Sequence, residues 1–328
     1  MRLLSEKDTY TKTTQAQRFR DLLASHTVLI ASIRSVQGIS DHIDTSKPPT
    51  SYEDAMSRPD AQEWAEAHQK EYRDFKDRNA FAIVPLPKGA RALGTTTRRD
   101  YKVVNGVFSK RKVRMCVRGD QQRDGVDYQS ADLYSPTLKA AEARLLTAIG
   151  AEHGCKIYKT DTSQAFLYGD MGDDKVYIRP PPWWPEEIPE GHVLQLLKSI
   201  YGTKQAARRW HVHISGWMES NGYPAVNREK TIFMKRVDDD FIIHGLFVDD
   251  MMHIPTNESL WKEFIDKYSK DFDITGGMLM DSFLGMEVEQ SEGKIRLHLD
   301  KYITDIVDEF SKISAKIGAK TCSSEKCS

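Results

Sequence analysis

The sequence is poor in cysteine. Cys116, Cys155, Cys322 and Cys327 are the four among 328 residues, too few and too scattered for a disulfide framework. Cys322 and Cys327 lie in a polar stretch with no histidine close in sequence, which argues against a zinc site and for reduced thiols in an intracellular compartment. No apolar run approaches the roughly 20 residues that a membrane span needs. The opening Met1-Arg2-Leu3-Leu4-Ser5-Glu6-Lys7 has no apolar signal core, and the short run 28–33 is too late and too brief to be one. Net charge is nearly absent as well: 47 Lys and Arg against 48 Asp and Glu leave −1. That balance excludes a uniformly basic nucleic-acid binder. It does not exclude a chain whose basic and acidic segments serve different parts of one site. No internal repeat is visible.

What is present is the composition of a folded protein, 39% apolar and 29% charged. Residues 1–50 read as a weakly structured lead-in that ends at Lys47-Pro48-Pro49. Asp60 and Glu63 resemble a capping box, and Trp64, His68, Tyr72 and Phe75 then keep helical spacing. Residues 95–123 carry nine Lys or Arg against Asp100 and Asp120. Val103, Val107, Val113, Met115 and Val117 alternate with polar residues there, and Asn105-Gly106 sits between the two runs, which predicts a β-hairpin with a basic face. Amphipathic spacing predicts helices around 138–149, 206–217 and 257–272 and a last one over 303–313. Strands are expected at 155–161, 241–248, 251–254, 283–288 and 295–299, and a flexible tail at 314–328. Strands and helices in this irregular order predict an α+β fold with an antiparallel sheet.

Acidic pairs recur, so the dipeptide alone is uninformative. Asp173-Asp174 and Asp238-Asp239-Asp240 lie in polar turns and read as solvated acids. Asp249-Asp250 is different, because Leu246-Phe247-Val248 precedes it and Met251-Met252 follows. Two carboxylates between apolar strands need either a tight hairpin that exposes them or a cation. Asp161 closes another strand; by itself it reads as a cap for the turn that follows. Together the three can converge on adjacent strands and hold two Mg²⁺ about 3.5–4 Å apart. Two basic segments, 95–123 and the acid-free 198–213, would supply charge for a polyanion.

In order along the chain, the motifs resemble the reverse transcriptase domain of copia-type LTR retrotransposons. They are Ser51-Tyr52-Glu53-Asp54-Ala55-Met56, Lys112-Val113-Arg114-Met115-Cys116-Val117, Tyr134-Ser135-Pro136-Thr137-Leu138-Lys139, Thr160-Asp161-Thr162-Ser163-Gln164-Ala165-Phe166-Leu167-Tyr168-Gly169, Ile200-Tyr201-Gly202-Thr203-Lys204-Gln205, Phe247-Val248-Asp249-Asp250 and Phe283-Leu284-Gly285-Met286-Glu287. The match spans residues 51–313. It implies a right-hand polymerase fold with fingers, palm and a partial thumb. By the same resemblance, Asp161, Asp249 and Asp250 are the catalytic, metal-binding triad, and the Thr162 backbone carbonyl is a further ligand for two Mg²⁺, with Mn²⁺ as a substitute. Lys112 and Arg114 would grip the incoming deoxynucleoside triphosphate, Phe166 would crowd its 2′ position, and Tyr201 and Gly202 would line the base-pair pocket. Lys204, Arg208, Arg209, Phe283 and Gly285 would touch nucleic acid. The implied partners are an RNA or DNA template-primer, deoxynucleotides and other Pol or Gag products, with no membrane. The implied location is a cytoplasmic particle or the nucleus.

Several residues have plainer readings. Phe166 can pack beside Leu167, Lys112 and Arg114 can be a solvated strand face, and Trp210 and Trp217 read as core. The chain departs from the family at Phe247, Thr203, Ala207, 95–100 and 118–120, which touches the fingers and leaves the triad intact. Because the sequence stops soon after the thumb-like helix, a fragment, a decayed copy or an excised domain is expected. The function expected is RNA-directed DNA polymerisation. The alternatives are an inactive remnant that only binds nucleic acid, and a metal nuclease of another fold.

Overall fold

Nearly continuous apolar runs on either side of Asp249-Asp250 build the two central strands of a five-stranded sheet. The computed structural model describes residues 45–104, 107–291 and 293–322. In chain order its elements are α1 (Tyr52–Ser57), α2 (Ala61–Asp77), β1 (Phe81–Pro85), β2 (Ala92–Leu93), β3 (Thr95–Val104), β4 (Val107–Val117), α3 (Ala140–Glu152), β5 (Tyr158–Thr162), β6 (Tyr177–Ile178), β7 (His192–Leu196), α4 (Ala206–Ser220), β8 (Ile232–Val237), β9 (Asp240–Phe247), β10 (Asp250–Pro255), α5 (Glu258–Asp271), β11 (Ile274–Leu279), β12 (Ser282–Phe283), β13 (Met286–Ser291), β14 (Lys294–His298) and α6 (Asp300–Cys322). The α+β class is what the sequence predicts, and strand pairing is antiparallel except between the short β2 and β6, which are parallel. Two compact units are present. One gathers the described residues up to Asp74 with Thr97–Met115 and Pro181–Glu187. The other gathers Phe75–Thr96, Cys116–Pro180 and the described residues from Ile188 onward.

In the first unit, Ser51 caps α1 by accepting from the Asp54 amide at 3.0 Å. The α2 side chains Trp64 and Tyr72 are buried with Val113 and Met115 of β4. Trp64 meets Tyr101 edge-on at 5.2 Å, and Tyr72 meets Trp184 at 5.1 Å. The strand's period of two leaves Lys112 and Arg114 on the opposite, half-buried face. Glu71 accepts from the buried Met115 amide at 2.7 Å, and burial pushes its carboxyl up to about 7.

The second unit is organised by the five-stranded sheet, in the order β11-β5-β10-β9-β8. One face carries Tyr158, Ile242, Leu246 and Met251, packed on Trp210, Ile214 and Met218 of α4 and on Trp261, Phe264 and Tyr268 of α5. The other face carries Ile157, Ile243, Met252 and Ile254, packed on Leu146 of α3 and on Phe283 and Val288 of the β12–β13 hairpin. Asn257 starts α5 as expected, its Oδ1 accepting from the Leu260 amide at 3.0 Å. A four-stranded sheet, β1-β7-β6-β2, was not foreseen. Two of its strands are only two residues long, too short to leave a periodic signature.

Three expectations change. The strand predicted over 283–288 is cut by a turn at Leu284 and Gly285, both with positive φ (+49° and +76°); β12 and β13 therefore fold back on each other with Phe283 opposite Met286. The last helix continues to Cys322 through residues expected in the tail. It presents Ile303, Val307 and Phe310 to the exterior. The Asp60 carboxylate is not a capping group: it is held by Arg111 Nε at 2.7 Å and by the Tyr101 hydroxyl at 3.1 Å. The lead-in up to residue 44, the Asn105-Gly106 turn and Cys327 lie outside the described residues.

Candidate active site

Strand pairing settles what the sequence left open about the three acids. Asp161, in β5, and Asp250, in β10, are directly opposed in the antiparallel register. Directly opposed residues have Cβ atoms about 4.5–5.5 Å apart, and like charges there repel. Asp249 fills the turn between β9 and β10, and its carbonyl accepts from the Thr162 amide at 2.9 Å. The turn and the end of β5 are thus tied by backbone, and three carboxylates leave adjacent positions of one sheet end. The plain cap reading of Asp161 fails, because its Oδ1 accepts from the Thr275 hydroxyl on neighbouring β11 at 3.3 Å. The Thr162 side chain turns the other way, into the core, where its hydroxyl pairs with the Tyr268 hydroxyl at 2.7 Å.

The cluster has a built-in counter-charge. Lys159 Nζ lies 3.0 Å from Asp250 Oδ1, both side chains about 30% exposed. Lys159 is two residues before Asp161, hence on the same face of β5. Sequence reasoning passed over it, although that spacing was the available signal. Three carboxylates at one sheet end bring their oxygens together. Their oxygen donors suit a hard divalent cation, which takes one or two carboxylates and fills its remaining positions with phosphate oxygens and water. Among the described residues no group of three or more His, Cys, Asp or Glu side chains is arranged to hold an ion by itself; a site that shares its ion with substrate phosphates needs no closed cage.

The turn that presents the pair is strained. Val248 has φ +55°, a left-handed conformation that costs an ordinary L-residue about 1–2 kcal/mol and is unusual for a β-branched one. Its carbonyl accepts from Trp210 Nε1 at 2.6 Å. Trp210 is buried, as the core reading has it, but the core reading missed this hydrogen bond.

The remaining predicted residues divide. Phe166 and Tyr201 are brought together, edge to face at 4.9 Å. Tyr201 is fixed through its carbonyl, which accepts from the Val117 amide at 2.8 Å. Gly202 has φ +90°, and a Cβ there would sit 2.2 Å from the Val117 carbonyl, so this approach requires glycine. Asp250 and Lys159 line a cavity of about 650 Å³ with Phe247, Phe283, Leu284 and Gly285. Phe283 is buried, so contact with a ligand there falls to the turn after it. Lys204 lies over the Tyr128 ring at 5.4 Å. Arg209 is engaged by Asp174 at 2.8 Å, and Asp174 is therefore not the solvated turn acid the sequence suggested. Arg208 lines a separate cavity with Tyr134, His211 and Arg228. Lys112 and Arg114 belong to the first unit, where Arg114 Nη1 lies 3.7 Å from Asp100 Oδ2.

With this geometry in place, relatives can be compared. Residues 78–322 match the family described as reverse transcriptase (RNA-dependent DNA polymerase). The chain is 28% identical over 283 residues to the retrovirus-related Pol polyprotein from transposon TNT 1-94 of Nicotiana tabacum, covering 84% of this chain and 21% of that protein. It is 27% identical over 212 residues to the corresponding polyprotein from transposon RE1 of Arabidopsis thaliana, covering 65% of this chain and 14% of that one. The chain thus spans about a fifth or less of the length of these relatives. Among solved structures, an apo telomerase from Candida tropicalis aligns with a TM-score of 0.32 and 9% identity over 71% of this chain and 60% of that one, a likeness too distant to carry weight.

Proposed function

The chain belongs to the reverse transcriptase (RNA-dependent DNA polymerase) family, and from that premise we propose that the Asp161, Asp249 and Asp250 cluster is the centre of RNA-directed DNA synthesis. The observation that carries the reading is the register pairing of Asp161 with Asp250, with Asp249 in the turn beside them. In the reaction the primer 3′-oxygen bonds to the α-phosphorus of a deoxynucleoside triphosphate, and the bond to pyrophosphate breaks. Asp161, Asp249 and Asp250, with the Thr162 backbone carbonyl, would hold two Mg²⁺, or Mn²⁺ in their place. When bound, such ions neutralise phosphate charge and lower the pKa of the attacking hydroxyl.

The chain's own residues do the positioning. The Thr162–Asp249 backbone bond keeps the acids in register. Phe166, braced by Tyr201, forms a wall beside the triad's strand, and we assign it the rejection of a ribose hydroxyl. Gly202 lets Tyr201 pack on the backbone of β4. The turn at Leu284 and Gly285 faces the cavity that Asp250 lines, which suits the primer end. Lys112 and Arg114 are assigned to the triphosphate, and Lys204, Arg208 and Arg209 to the nucleic-acid backbone, on the family pattern. The template-primer and deoxynucleotides are the partners of this reading, together with other Pol and Gag products of a copia-type element in the cytoplasm or nucleus.

Primer extension on an RNA template with Mg²⁺ or Mn²⁺ tests it. Wild type is expected to add deoxynucleotides and Asp249→Asn is not. If the two extend alike, the reading fails; steeply salt-dependent template binding without incorporation would favour an inactive binding remnant. Phe166→Ala is expected to raise ribonucleotide use relative to deoxyribonucleotide use roughly 10–200-fold, the range that steric exclusion in a pocket provides. An unchanged ratio would remove Phe166 from the specificity wall.

A further inference from the structure

Trp210 connects three parts of the site that are far apart in sequence. Its indole N–H donates to the carbonyl of Val248, the strained residue immediately before Asp249. Its ring lies 6.0 Å from Tyr168, at the end of the turn that carries Phe166, and meets Phe272, after α5, edge-on at 5.7 Å. Tyr168 is itself pinned, its hydroxyl accepting from the Asp273 amide at 2.7 Å.

The target of the indole is what matters. The Val248 carbonyl and the Asp249 amide belong to one rigid peptide plane. Fixing that oxygen therefore fixes the axis about which Asp249 turns. The Thr162 amide holds the next carbonyl, that of Asp249. Two successive peptide planes are thus clamped, one by α4 and one by β5; Asp249 leaves from between the clamps and Asp250 from the far end of the second. The two-residue loop between Phe247 and Asp250 itself calls for positive φ at Val248; without the indole donor that demand alone opposes the cost to a β-branched residue, and a turn that relaxed would carry Asp249 away from Asp161.

We infer that Trp210 is a positioning residue for the reaction: its N–H holds Val248 left-handed and so aims Asp249 and Asp250. The inference rests on the polymerase reading above. A purely structural tryptophan needs its ring in the core and makes no demand on the backbone angle of Val248, so the two roles separate experimentally.

Trp210→Phe keeps an aromatic ring and removes the donor. Site-specific replacement of Trp210 by benzothienylalanine, in which sulfur stands for the N–H, removes the donor with the ring shape intact. Either variant is expected to lower kcat for nucleotide addition roughly 10–100-fold, the usual effect of losing a group that orients a ligand residue, with primer-template affinity unchanged. Hydrogen exchange in the 247–251 segment is expected to accelerate at least about tenfold. Adding Val248→Gly is then expected to restore most of the kcat, because glycine adopts positive φ without strain. If the benzothienylalanine variant keeps kcat within twofold of wild type, or if Val248→Gly restores nothing in a folded double variant, Trp210 is only core. If wild type itself adds no nucleotide, the polymerase reading fails on that result alone, and the exchange rates still decide whether the indole holds the turn.

Discussion

Asp161→Asn is expected to lower nucleotide incorporation by about a thousandfold or more and, at the same time, to raise the denaturation midpoint of the fold. The two effects have one cause. Asp161 and Asp250 face each other across β5 and β10, and Lys159 is the cation paired with Asp250. In the absence of metal the opposed carboxylates repel, a penalty of up to about 1 kcal/mol for a cross-strand pair of like charges. The amide of Asn removes that repulsion and retains an oxygen to accept from the Thr275 hydroxyl, which now bonds Asp161 Oδ1. With substrate present the same charge is required: losing several kcal/mol of charge stabilisation at the transferring phosphoryl group is worth about three decades of rate. Asp173→Asn, at an exposed acid in a polar turn, serves as the control and is expected to change neither quantity. Denaturant melts and single-turnover incorporation on the same preparations read both. A variant that is less stable than wild type, or that retains more than a tenth of its rate, would show that Asp161 is a structural residue.

Acidification is expected to unfold the second unit well before its carboxylates titrate in full. His244 and His253 face each other in the β9–β10 register, both fully buried, with their Nδ1 atoms 2.8 Å apart. His253 Nε2 bonds the Thr160 hydroxyl at 2.8 Å, and Tyr223, Trp261 and Phe264 close the pair in. Burial pushes His253 down to about 3, and burial together with the neighbouring imidazole holds His244 well below the usual histidine range. Depressed folded-state values mean that the unfolded chain binds the extra protons. The stabilising contribution is therefore complete above the unfolded value, about 6.5, and is lost as pH falls from there toward 3. Each such group costs on the order of 1 kcal/mol per pH unit below the unfolded value, and a loss of a few kcal/mol is a large part of a typical domain's roughly 5–15 kcal/mol. His253→Gln can still bond Thr160 and leaves one titrating imidazole. Its stability is expected to fall with acid at about half the wild-type slope between pH 6.5 and 5, measured by urea denaturation. Parallel slopes would remove the pair from the acid response.

Much of this was legible from residues alone. The amphipathic spacing of 257–272 and the cap at Asn257 placed α5, and alternation placed β3 and β4, because burial on one face imposes its own period; β9 and β10, buried on both faces, were legible as short apolar runs flanking Asp249-Asp250. Short strands and non-periodic turns left no such trace. β2 and β6 have too few residues to alternate, and the break at Leu284 and Gly285 looked like continuous strand. The near-zero net charge excluded a uniformly basic binder, and nine cations against two acids in 95–123 pointed to a separation of charge within the chain.

The sequence by itself determined the family and the α+β class and nominated the three acids, since these depend on residue types in a fixed order. Only the tertiary structure decided that Asp161 stands opposite Asp250, that Lys159 offsets their charge, and that Trp210 reaches the carbonyl of Val248. Those relations join residues 38 to 91 positions apart through strand register and helix packing. Register is a property of paired backbones, set by the fit of two apolar faces to their cores, and no local pattern encodes it.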